Sequence, residues 1–205
     1  DGGEIKRDDL NLNLDQSYGS SVLRNQVIYS VLKKEYGKDV PLSSAKKTYK
    51  DLAKSYGSDQ EFLDTVRSQG FDTKESYIQK QISDKKLNQY FQNSMHLRII
   101  SGDKDLVDQV VNDKNMGMDF QSLMNKYSNA GTDIGWVKPS DLPIGEENIP
   151  EVTNLSDGEI SSVITNDDKA FIIQVVVNPS TSPIKFEDVR DEIKKSLSDK
   201  LAQND

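Results

Sequence analysis

Hydrophobic positions recur at helical intervals over residues 17–90, give way to strand-like runs, and return to the helical interval after Pro183. In the first stretch Leu23, Val27, Ile28, Val31 and Leu32 fall on one stripe, which predicts a helix ended at Gly37. Ser43 or Ser44 is placed to cap a second helix presenting Ala45, Tyr49, Leu52, Ala53 and Tyr56, closed by Gly57. Ser58 with Glu61 has the form of a capping box for a short third helix bearing Phe62, Leu63 and Val66, stopped at Gly70. A fourth helix is predicted from Thr73, with Tyr77, Ile78, Ile82, Leu87, Tyr90 and Phe91 as its apolar positions. Residues 1–16 are polar apart from alternating Leu10, Leu12 and Leu14, and read as a loose tail in preference to a short edge strand.

The middle of the chain is punctuated differently. Five of the six prolines lie between Pro139 and Pro183, and continuous apolar runs such as Ala170–Val177 have the character of strands. Beyond Pro183, Phe186, Val189, Ile193, Leu197 and Leu201 restore a single helical stripe with no partner nearby in sequence. Burying that stripe against the first helices would make the two chain ends one helical module, with the central block inserted.

Composition sharpens this division. Of the 205 residues 34% are hydrophobic and 29% charged, and no apolar run approaches the length of about 18 that a membrane-spanning helix needs. The net charge of −8 argues against a nucleic-acid partner. Between Ser94 and Asn178 six Lys/Arg stand against fourteen Asp/Glu, a difference of −8, while the remainder holds twenty of each. One internal block thus carries the whole imbalance, which places a boundary at each of its ends. Cysteine is absent, so thiolate and disulfide chemistry are excluded. Asp1 does not read as a natural start, so any targeting segment is expected to have been removed or to lie outside this sequence.

Phrases of the sequence resemble one family. VLRNQVIYSVLKKEYG (22–37), Tyr56–Gly57 and FLDTVRSQGFDTKESYIQKQI (62–82) resemble the helical half of the PrsA-type extracytoplasmic foldases of Gram-positive bacteria, relatives of the chaperone SurA. MHLRII (95–100), GMDFQSLMNKYS (117–128), DIGW (133–136), LSDGEISSVIT (155–165) and AFIIQVV (170–176) follow the order of a parvulin-type isomerase domain: first strand, helix region, glycine-led turn, late turn and final strand. The resemblance implies an α+β fold. In it a helical chaperone module (1–93 with 180–205) surrounds a parvulin-like domain (94–179), a small antiparallel sheet flanked by helices.

Parvulins share two adjacent histidines, a nearby Cys or Asp, a small hydroxyl and a Met/Phe proline pocket. They use these to lower an amide rotation barrier of about 18–20 kcal/mol. Carried over residue by residue, His96 matches the first histidine, but Phe171 stands at the second and Ala130 at the Cys/Asp position. The loop after Ser128 is short, Asp167 and Asp168 occupy the hydroxyl region, and Leu142 stands for the Met. The Phe position falls among Glu146, Glu147 and Asn148. His96 is therefore the candidate catalytic residue, and Trp136, Leu142 and Phe171 the candidate substrate-binding residues, of a weak or inactive isomerase.

Other residues have plainer readings. His96, the only histidine, could be a strand residue held by a hydroxyl, and Trp136 a core filler. Asp105 and Asp108 suit a first helical turn, and Asp167–Asp168 a hairpin turn. Seven of the eight tyrosines lie in the helical half, where some could face a polypeptide groove. No cofactor or metal is expected. The expected partners are unfolded or partly folded secreted proteins, with a membrane reached only through a lipid anchor on an upstream cysteine. The exposed apolar faces of such a cradle leave homodimerisation open. An active isomerase, and a binding or adhesion module on the same scaffold, are the alternatives.

Overall fold

The computed structural model describes Leu32, residues 41–69, Phe71 and residues 73–202. The tail at 1–16 and the first expected helix, apart from a buried helical Leu32, lie outside the described residues. The chain divides after Leu87 into two compact units, and the division falls inside a helix.

In the first unit α1 (Leu42–Ser55), α2 (Asp59–Val66) and the front of α3 (Lys74–Gln92) enclose an aromatic core. Helix α1 begins before either serine expected to cap it, because Pro41 already sits at the cap with φ −67° and ψ 138°. Ser44 instead accepts a hydrogen bond from Lys85 Nζ at 3.2 Å. Ser58 does cap α2, accepting the Glu61 N–H at 3.2 Å. Thr73 and Ser76 cap α3 reciprocally, each hydroxyl accepting the other's N–H. Tyr49, Phe62 and Tyr77 meet edge to face, with centroids 4.9–6.1 Å apart, so these rings hold helix to helix.

The second unit is built on a four-stranded antiparallel sheet of order β2-β1-β4-β3. Its strands are β1 (Met95–Gly102), β2 (Gly131–Val137), β3 (Ile164–Asn166) and β4 (Lys169–Val177). The pleat sends alternate residues to opposite faces, and the apolar run in β4 is explained because both faces are covered. Leu97, Ile99, Phe171, Ile173 and Val175 pack with Ile144, Val152 and Ile164, beneath the segment holding the short helix α6 (Ile149–Thr153). Ile100, Ala170 and Ile172 pack against α4 (Lys104–Asn115) and α5 (Phe120–Lys126) through Val107, Val110, Phe120 and Leu123. Asp103 caps α4 by accepting the Leu106 N–H at 2.8 Å, and Asp108 pairs with Lys104 at 2.6 Å. Asp113, Lys126 and Tyr127 tie α4 to α5. Asp167, with φ 52°, turns the two-residue β3–β4 hairpin.

The last helix, α7 (Phe186–Ala202), belongs to this second unit. It buries Phe186, Val189, Ile193 and Leu197, and its side chains meet β2 and Phe91 near the end of α3. Its expected partner was the first helices over residues 17–90, of which residues 17–31 and 33–40 lie outside the described residues.

Candidate functional site

The phrase DIGW was expected to make a turn, yet it runs within β2 and carries a bulge. Leu97 pairs with Gly135 and Arg98 with Asp133, leaving Ile134 as the extra residue. Gly135 takes φ 63°, a left-handed conformation open to glycine at little cost. A Cβ there would stand 2.4 Å from Ser196 Oγ, so the bare glycine also lets α7 approach the strand. Ser196 uses that proximity to accept the Trp136 N–H at 3.0 Å.

The bulge places Asp133 beneath the histidine. Asp133 accepts from His96 Nε2 at 2.9 Å, from Arg98 Nε at 3.1 Å and from the Gly135 N–H at 3.0 Å. An ionised carboxylate only accepts, so His96 carries its proton on Nε2. Burial pushes the Asp133 carboxyl up, but hydrogen bonds from His96, Gly135 and Arg98 outweigh it and hold the group below the ordinary carboxylate range. The strand-histidine reading therefore needs one change: the group holding the ring is a carboxylate.

Above this cluster opens a groove of about 790 Å³, inside the range of ligand pockets. All four residues singled out from the sequence line it, namely His96, Trp136, Leu142 and Phe171. They are not equally available. Trp136 is 1% exposed, its ring tilted against Phe91 with centroids 5.4 Å apart, and its indole N–H is directed to Glu192 at 3.5 Å. Phe171 is 3% exposed and belongs to the sheet core. His96 keeps 19% of its side chain exposed, and Leu142 is half-buried. The groove thus offers an apolar floor and one tethered imidazole.

Sequence reasoning missed Asp133 and the contribution of α7, whose Glu192, Lys195, Ser196 and Asp199 form part of the groove lining. The short loop after Ser128 closes as a tight turn, with the Ala130 and Gly131 N–H groups both bonded to Tyr127 O at 2.8 and 2.9 Å. The position at Ala130 therefore supplies an apolar methyl group.

The first unit has a separate groove of about 960 Å³ between Leu42, Ile78 and Ile82, bordered by Lys46, Lys50 and Lys74. None of its lining residues is aromatic, and Leu42 is half exposed.

No family model matches the chain. Foldase protein PrsA of Geobacillus kaustophilus is 25% identical over 211 residues, spanning 93% of this chain and 73% of that protein. PrsA from Bacillus subtilis is a similar solved structure, with 20% identity, a TM-score of 0.39, and coverage of 100% of this chain and 85% of that one. The peptidylprolyl isomerase PrsA from Bacillus cereus is 18% identical with a TM-score of 0.36, over 98% and 83%. The resemblance to PrsA-type foldases carried by short phrases thus has a counterpart in one alignment along nearly the whole chain.

Proposed function

We propose that this chain is a PrsA-type foldase that acts as an extracytoplasmic chaperone, holding unfolded or partly folded segments of secreted proteins. The observation that carries the reading is the alignment with foldase protein PrsA over 93% of the chain. The site geometry supports restricting the role to holding. A proline ring could rest on the apolar floor, but the second histidine position is a buried Phe171, and His96 is already engaged by Asp133. Rate enhancement needs groups that favour the twisted amide over the planar one, and a single tethered imidazole is a poor set for that. The protein is accordingly a weak or inactive isomerase, anchored at the outer face of the membrane through a lipid on a cysteine upstream of this segment. The organisation goes with this: helical segments at 1–93 and 180–205 flank a parvulin-like domain at 94–179.

Suppression of aggregation of several unfolded clients tests the holding role, and it should persist in His96→Ala. Failure with every client removes the proposal. A protease-coupled assay on X–Pro peptides should give a rate close to the uncatalysed one. A large enhancement lost in His96→Ala would favour the second reading, an active peptidyl-prolyl isomerase using His96 and the apolar groove.

A further inference from the structure

We infer that the groove between β2 and α7 selects extended apolar segments flanked by lysine or arginine, an inference that rests on the chaperone reading and names its client class. The floor of the groove is apolar, with Ile99, Ile134, Leu142 and Pro143 among its lining residues. Its border is negative. Helix α7 contributes Glu192 and Asp199 against Lys195, and Asp141 adds another carboxylate to the lining.

Asp133 plays a different part, because Arg98 and His96 already occupy its oxygens. The selecting charges are therefore the exposed ones on α7, which meet solvent before any ligand arrives. Around them lies the block from Ser94 to Asn178, with fourteen Asp/Glu against six Lys/Arg. A field of one sign over a cleft raises the local concentration of oppositely charged ligands and speeds their encounter. An acidic segment entering the same groove meets like charge at its border, so discrimination comes from repulsion as well as attraction.

Exposed charge pairs contribute about 1.5- to 5-fold each, so two of them predict a preference of about 2- to 25-fold at low salt. The test uses the full chain and three fluorescent peptides sharing one apolar centre, flanked by Lys, Gln or Glu, with binding read by anisotropy. Lys-flanked peptide is expected to bind about 2- to 25-fold tighter than Glu-flanked, with the ratio approaching one in high salt. Glu192→Gln with Asp199→Asn should shrink the ratio, and Glu192→Lys with Asp199→Lys should invert it, in variants whose circular dichroism matches the parent. Equal affinities for the three peptides, or a ratio untouched by the double variants, overturns the inference and leaves the chaperone reading intact. Binding of none of them removes both.

Discussion

Replacing Gly135 with alanine tests whether α7 is seated on β2 through a missing side chain. Two costs follow from the structure. Alanine must adopt φ 63°, where an L-residue loses about 1–2 kcal/mol. Its Cβ also falls 2.4 Å from Ser196 Oγ and 3.3 Å from Ser196 Cβ, so the hydroxyl has to swing away. The Trp136 N–H then loses an acceptor now 3.0 Å distant, and an unmet buried donor costs about 1–3 kcal/mol. Together these give a loss of about 2–5 kcal/mol. The chain has one tryptophan, and it is the residue bonded to Ser196, so urea unfolding followed by its fluorescence reads this contact directly. Ser196→Ala alone leaves the same Trp136 N–H unmet and should cost about 1–3 kcal/mol. The double variant should fall short of the sum, because the collision with Oγ has gone. A Gly135→Ala protein as stable as the parent, or strictly additive costs, would refute the argument.

Asp133→Asn should flatten the acid limb of stability. Burial raises the carboxyl, the hydrogen bonds from His96, Gly135 and Arg98 lower it further, and the folded value is depressed. Its contribution is complete above the unfolded carboxylate value near about pH 4 and is lost as pH falls through the lower folded value. The parent should therefore lose stability more steeply below about pH 4 than the variant, as read by urea midpoints across that window. Phe171→His should not create isomerase activity in the protease-coupled assay. The position lies among Leu97, Ile173 and Val175, where an unpaired imidazole costs about 1–3 kcal/mol, and a gain of turnover would contradict that burial. Tyr49→Phe should leave stability unchanged or raise it by up to about 1–2 kcal/mol in thermal unfolding. The Tyr49 hydroxyl is buried without a hydrogen-bond partner among the described residues, and a clear loss would show that it has one.

The helical half was legible where local chemistry decides. Ser58 caps α2 as its hydroxyl and spacing predict, and the stripe of Ile78, Ile82, Leu87 and Tyr90 is buried as its period predicts. Pro41 was not anticipated as the cap of α1, since the serines beyond it have the stronger side-chain preference while proline acts through its fixed φ. In the other unit the hairpin at Asp167–Asp168 was legible from its residue types. The antiparallel sheet rested on the resemblance, and the order of its four strands was not read, because no periodicity states which strand lies beside which.

The site was legible in its members but not in its connections. His96, Trp136, Leu142 and Phe171 all reach one groove, yet nothing local to any of them points to Asp133 or to α7. The link between His96 and Asp133 spans β1 and β2 and exists only in the register set by the bulge at Ile134. An amphipathic helix states that it has an apolar face and leaves the partner unnamed. Here a glycine without Cβ faces a small serine, which permits close approach of strand and helix. Three consecutive residues, Asp133, Ile134 and Gly135, therefore do three jobs: they anchor the imidazole, bend the strand and admit the helix that brings Glu192 and Asp199 to the groove. In sequence those residues resemble a turn; paired in a sheet they determine which charges border the groove, and so which segments can enter it.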